Sequence, residues 1–223
     1  MKTRKLFSSR TGVLMALAIF LPACATPPTP YDYSAFKQAR PASMLVLPPL
    51  NDSPEVNATA GVWAHAVRPL AEGGYYVFPI ALVAETFRQN GLDNAADIQE
   101  VSPQKLHEFF GADAAVYIRV IDYGTTYKVI SSDTRVAVEG RIIDLRSGQL
   151  LWQGQAAASS AEQQQNQGGL IGALVSAVIK QIGDTVTDAA FNYAAIADQR
   201  LLAAPQTNGV LTGPRSPHYQ QTK

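Results

Sequence analysis

Ser43-Met44-Leu45-Val46-Leu47-Pro48-Pro49-Leu50-Asn51-Asp52-Ser53-Pro54 is the stretch on which the fold class turns. An apolar run stopped by two prolines reads as a buried strand that ends abruptly, because proline cannot donate into a strand ladder. Ser53 and Pro54 follow as a cap and first position of a helix. Val62, Trp63, Ala66, Val67 and Leu70 then recur on one helical face, so a helix is expected to about Arg68, ended by Pro69. Strand, short loop, helix is a β-α unit. The loop Asn51, Asp52 and Ser53 at its carboxyl end is the position where ligands bind in open α/β sheets, although capping and turn formation account for the same residues.

Downstream the alternation repeats. Gly73-Gly74 precedes the aromatic strand Tyr75-Tyr76-Val77-Phe78, Pro79 opens a helix, and Asn90-Gly91 marks its end. Ser102-Pro103 starts a short helix through Phe110, with Gly111 as its stop. The period then changes from helix to strand. Runs at 114–122, 127–130, 135–145 and 150–156 predict four strands of an antiparallel meander, the last two joined by a turn at Arg146-Ser147-Gly148-Gln149. The polar, low-complexity residues 161–169 read as a loop. From Ile171 to Ile196 an apolar stripe advances at helical steps, which predicts a long C-terminal helix. That stripe serves either as cover for the sheet or as a contact for a partner; Leu170, Ile171, Leu174, Val175, Val178 and Ile179 form the candidate interface, where Gly168, Gly169, Gly172 and Ser176 permit a second backbone to approach. The expected class is therefore α/β (α+β): β-α-β-α units followed by an antiparallel meander, one mixed sheet covered by helices. The predicted domain spans 43–204, and residues 205–223 read as an irregular tail.

Upstream lies a secretory signal. Lys2, Arg4, Lys5 and Arg10 precede the apolar stretch Gly12 to Leu21, which is too short to cross a hydrocarbon layer ~30 Å thick. Leu21-Pro22-Ala23-Cys24 then forms a lipobox, with Pro22 the less usual residue. Residues 1–23 are expected to be removed and Cys24, the single cysteine of the chain, to carry the lipid. Multiple acyl chains would give stable anchoring where one alone does not. Ala25, in place of the aspartate that retains lipoproteins at the inner membrane, favours the outer membrane. Residues 24–42 carry Pro27, Pro28, Pro30 and Pro41 and read as an extended tether reaching roughly 50 Å. Tyr31, Tyr33 and Phe36 within it either rest at the membrane interface or dock on the domain.

Composition narrows the function. The chain of 223 residues is 47% apolar and 16% charged, with 18 basic and 18 acidic side chains, enough for one domain and without the basic excess of a nucleic-acid binder. Removal of residues 1–23 takes four basic side chains and leaves 14 against 18 acidic ones, a net charge of −4. His65, His107 and His218 match no metal spacing, and no nucleophile elbow, phosphate loop or dinucleotide fingerprint is present. Asp133, Glu139 and Asp144 share a strand region whose alternation places carboxylates on a solvated face. No catalytic residue, metal site or cofactor is expected.

Several segments carry a family likeness. Met44 to Ser53, Gly74-Tyr75-Tyr76-Val77-Phe78-Pro79, Gly111-Ala112-Asp113-Ala114, Asp144-Leu145-Arg146-Ser147-Gly148 and Asn208 to Pro217 resemble a family of Gram-negative lipoproteins of unassigned function that includes a surface lipoprotein studied as a vaccine antigen. That family is similar in fold to the amino-terminal domain of TolB and to the periplasmic part of the curli secretion channel subunit CsgG, both protein-interaction modules. The resemblance implies a scaffold rather than an enzyme and a tail docked in place. It also implies an outer-membrane protein facing the periplasm, with surface exposure left open. Its partners would be envelope proteins, among them a secretion-channel component, and further copies of itself. The alternative is a small-ligand binder or hydrolase using Asn51, Asp52 and Ser53.

Overall fold

A computed structural model describes residues 30–127, 132–162 and 189–219. The signal segment, Cys24, residues 163–169 of the polar loop and the candidate interface residues Leu170, Ile171, Leu174, Val175, Val178 and Ile179 lie outside the described residues. The elements run α1 (Ser34–Ala39), β1 (Ser43–Val46), β2 (Leu50–Asn51), α2 (Ala58–Glu72), β3 (Tyr76–Val77), α3 (Ile80–Gln89), α4 (Ala95–Gln99), α5 (Pro103–Phe110), β4 (Ala114–Tyr127), β5 (Ser132–Asp144), β6 (Leu150–Ser159) and α6 (Ala189–Leu202). The strands form one mixed sheet in the order β3-β1-β4-β5-β6, with β2 paired to β4 off that path. β1 runs parallel to β3 and β4, while β4, β5 and β6 are antiparallel. This is the expected class.

Alternation along the strands sorts the residues onto two faces. Val136, Val138 and Ile142 of β5 are buried on one of them, where α2 and α6 pack on each other and on the sheet. Gly140 belongs to that face, and a Cβ there would stand 2.9 Å from Leu201 of α6, so its lack of a side chain lets the helix come down onto the strand. The opposite face is closed only near β1. Val83 of α3, Ile98 of α4 and Leu106 of α5 gather there with Leu45, Leu47, Tyr117 and Leu145 into a second core. Asp113 joins the starts of β1 and β4: its carboxylate accepts from the amides of Ala42 and Ser43, both at 3.0 Å, and from the Ser43 hydroxyl at 2.9 Å.

Five expectations need correction. First, α2 neither starts at Pro54 nor stops before Pro69. Asn51 Oδ1 takes both the amide and the hydroxyl of Ser53, at 2.9 and 2.7 Å, so residues 51–55 close a turn of their own and the helix begins at Ala58. Pro69 lies inside the helix and is buried with Val62, Ala66 and Leu70. Continuing that apolar face offsets the roughly 3 kcal/mol that an interior proline costs. Second, α4 went unforeseen; Asn94 caps it by accepting from the Asp97 amide at 2.8 Å. Third, the meander has three described strands, not four, because 114–122 and Tyr127 belong to a single β4. A register shift between Val120 and Asp122 leaves Ile121 exposed and resets the alternation, which hides the continuity in the sequence.

Fourth, the tether does not extend to residue 42. Residues 34–39 are helical, Phe36 is buried, and the Tyr33 hydroxyl donates to the Gly209 carbonyl, so the folded unit begins at Asp32. The domain thus starts before residue 43. Fifth, the tail is irregular, as expected, and docked, as the family resemblance implies, so the domain does not stop at residue 204. Trp152 Nε1 donates to Asn208 O at 3.0 Å, the Gly213 amide to Gly73 O at 2.8 Å and the Arg215 amide to Gly74 O at 3.0 Å, with Val210 and Thr212 buried.

Candidate functional site

The covering of the sheet is uneven, and that creates the site. Where the cover of α3–α5 runs out, the face of β4–β6 turned away from α2 and α6 carries the buried Tyr117 and, beyond it, Arg119 on β4, Glu139 and Arg141 on β5, and Gln153 and Gln155 on β6. The registers Arg119↔Glu139, Tyr117↔Arg141, Arg141↔Gln153 and Glu139↔Gln155 set these side chains in two rows across three strands. They line an open groove of about 460 Å³ that reaches Leu50 and Gln99 at its rim. Gln99 of α4 holds the rim by donating from Nε2 to Pro48 O at 2.9 Å and to Ile118 O at 3.2 Å.

The groove is polar and nearly balanced in charge. Arg119 Nη1 lies 2.9 Å from each oxygen of Asp52, an exposed pair. The Arg141 guanidinium sits over the Tyr117 ring, 5.0 Å from its centroid, where the ring face attracts a cation. Burial pushes the Tyr117 hydroxyl up, with Arg141 opposing it. Glu139, Gln153 and Gln155 have no side-chain hydrogen bond to another described residue. Three strands therefore present free donors and acceptors on a rigid sheet, an arrangement suited to reading a surface or an extended ligand by hydrogen bonds.

The residues singled out from the sequence fare differently. Asn51 and Ser53 are occupied in their own turn, with Asn51 Nδ2 donating to Glu55 O at 2.8 Å, and Asp52 is taken by Arg119, so the loop borders the groove without aiming into it. Asp133, Glu139 and Asp144 do not converge. Asp133 accepts from the Ser160 hydroxyl at 2.9 Å, Asp144 accepts three times from the turn at Arg146 and Ser147, and only Glu139 faces the groove. The histidines are equally dispersed. His65 is on α2 with a buried, unpartnered Nε2, and burial pushes its ring downward in pKa; His107 Nδ1 lies 2.7 Å from Ala112 O; and His218 is in the tail. Among the described residues no group of three or more His, Cys, Asp or Glu could hold a metal ion, and no helix is long and apolar enough to cross a membrane. The rows at 117/119, 139/141 and 153/155 were missed as a site, although the period-two alternation of planar polar residues with apolar ones was there to find them.

The fold and this face define a class, a mixed α/β module with one strand face covered by helices and the other partly open. The chain belongs to the GNA1162-like lipoprotein family, whose model, described as "Putative lipoprotein GNA1162-like", matches residues 31–215. A relative from Neisseria meningitidis serogroup B, "Putative lipoprotein NMB1124/NMB1162", is 49% identical over 202 residues, covering 90% of this chain and 94% of that protein. The crystal structure of lipoprotein GNA1162 from Neisseria meningitidis superposes with a TM-score of 0.54 at 52% identity, over 64% of this chain and 98% of that one. The LpoB C-terminal domain from Salmonella enterica is a distant likeness, with a TM-score of 0.36 and 16% identity over 56% of this chain and 91% of that one.

Proposed function

We propose that this protein is an outer-membrane lipoprotein, held by a lipidated Cys24 and facing the periplasm, that works as a protein-interaction scaffold or accessory in envelope assembly or curli-type secretion. The open face of β4–β6 carries this reading. A sheet already stabilised from its other side by α2 and α6 can leave one face polar and unfilled, and Glu139, Gln153 and Gln155 stand there with their hydrogen-bonding capacity unspent. Homo-oligomers fit the same picture, through this face or through the apolar stripe at Leu170 to Ile179. The alternative, a small-ligand binder or hydrolase at Asn51 to Ser53, draws on the groove beside that loop, but the loop's own side chains are engaged and no histidine faces the groove.

The test is a truncation on the face that adds no like charge opposite Arg119. Glu139→Thr with Gln155→Thr should abolish chemical crosslinking of the protein to its envelope partners in intact cells and leave the melting temperature within about 2 °C, since exposed substitutions usually change stability by about 0.5 kcal/mol or less. Glu85→Arg, on α3, serves as control. Crosslinks unchanged in the double variant would overturn the assignment of the face.

A further inference from the structure

A second cavity lies apart from the groove, where α1 meets the docked tail. It measures about 340 Å³ and is walled by Phe36, Tyr75, Leu211 and Tyr219, with Lys37 and Arg40 among its lining residues. That volume is at the lower end of the range for small-molecule sites, which are mostly apolar with a few placed polar groups. The wall is held firmly. Phe36 and Tyr75 are buried, and the Tyr75 hydroxyl donates to Leu211 O, tying β3's approach to the tail. The cations are held too. Arg40 takes a left-handed conformation at the end of α1, with φ 45°, its amide donates to Phe36 O at 2.9 Å, and its Nε donates to Lys37 O at 3.3 Å. Both side chains are exposed, and neither makes an ion pair with a described residue.

An apolar cavity flanked by two unpaired cations is complementary to an amphiphile with an anionic head. We propose that this cavity binds an anionic glycerophospholipid, the phosphate over Lys37 and Arg40 and the first methylenes of an acyl chain between Phe36, Tyr75, Leu211 and Tyr219. The choice of a membrane lipid over other anionic amphiphiles rests on the proposed anchor. Ser34, the first residue of α1, is ten residues from Cys24, so even a fully extended chain keeps it within about 36 Å of the acylated cysteine. A domain docked to headgroups in this way would have a defined orientation on its tether, with Lys37 and Arg40 turned towards the bilayer.

The experiment is a thermal-shift titration of the full lipidated chain in neutral detergent, with dihexanoyl phosphatidylglycerol as probe. Dihexanoyl phosphatidylcholine, hexanoate and inorganic phosphate are titrated separately. Phosphatidylglycerol at a hundred times its dissociation constant should raise the melting temperature by about 5–10 °C. Lys37→Gln with Arg40→Gln should weaken that binding about tenfold without altering the melting temperature of the unliganded protein. An equal shift with phosphatidylcholine would overturn recognition of the charge; an equal shift with phosphate alone, or with hexanoate alone, would overturn the two-part site; no shift at all would overturn the proposal. Palmitate labelling of Cys24 is scored in parallel. Lost labelling with a retained lipid shift refutes the anchor and leaves the cavity, whereas retained labelling without a shift does the reverse.

Discussion

At the scale of single residues, Asp198 departs furthest from ordinary side-chain chemistry. It lies on α6, wholly buried, with neither carboxylate oxygen hydrogen-bonded to a described residue, and burial pushes its carboxyl well above the usual carboxylate range. A group of this kind binds its proton more tightly in the folded than in the unfolded chain. Its contribution is therefore most favourable below the unfolded value of 3.8 and is lost as pH rises through the folded value. Asp198→Asn, which cannot ionise, should melt higher than the parent at pH 7. The gap should narrow as pH is lowered towards about 4, each kcal/mol appearing as about 2–4 °C for a chain of this size. Calorimetry of the two proteins from pH 4 to 8 is the measurement. A gap that does not change with pH would mean that Asp198 is charged in the fold and paired in some other way. Nothing in the sequence marked this residue, which was simply a polar position on a predicted helix.

Among the elements, those whose determinants are local were legible and those set by distant contacts were not. α5 was readable to the residue: the Ser102 hydroxyl caps it, Pro103 occupies the first turn and Gly111, with φ 66°, ends it. β4 reads as two segments in the sequence because polar Asp122 to Thr126 follow a bulge, and only pairing with β5 keeps them in the ladder. The docking of the tail escapes a local reading for the same reason, since Trp152 is 56 residues from Asn208 and Gly73 is 140 residues from Gly213. Gly74 is the hinge of that docking, with φ 97° and an added Cβ that would stand 2.4 Å from the Ser216 amide nitrogen and 2.9 Å from Gly213 O. Both neighbours are backbone and cannot turn aside. Gly74→Ala should cost about 1–3 kcal/mol and speed proteolysis within residues 205–219. Gly91→Ala is the matched control, because Gly91 also has a positive φ, 77°, but nothing stands within 4 Å of its added Cβ. Equal losses in the two variants would show that strain alone, and not the tail, makes position 74 intolerant.

For the molecule as a whole, the proposed anchor offers one chemical handle. Cys24 is the single thiol, so Cys24→Ser should abolish metabolic labelling with palmitate and move the protein from the membrane to the soluble fraction, or leave it tethered by an uncleaved signal. Labelling that persists would remove the lipobox from the argument. The sequence by itself determined the signal and lipobox pattern, the α/β class, the order of β-α units before antiparallel strands, and family membership through its segments from Met44 to Pro217. These depend on composition, on periodicities of two and 3.6 residues, and on caps and turns that act within a few positions. Only the tertiary structure decided through which contacts the tail closes the domain, that α1 replaces part of the tether, and that Pro69 stays inside α2. It also decided that Arg119, Glu139, Arg141, Gln153 and Gln155 share one exposed face beside the buried Tyr117, while Asn51, Asp52 and Ser53 do not point into it. Those outcomes depend on which distant surfaces meet and how far α3–α5 and α6 extend over the sheet, and burial of that kind is a property of the packed whole and not of any window of residues.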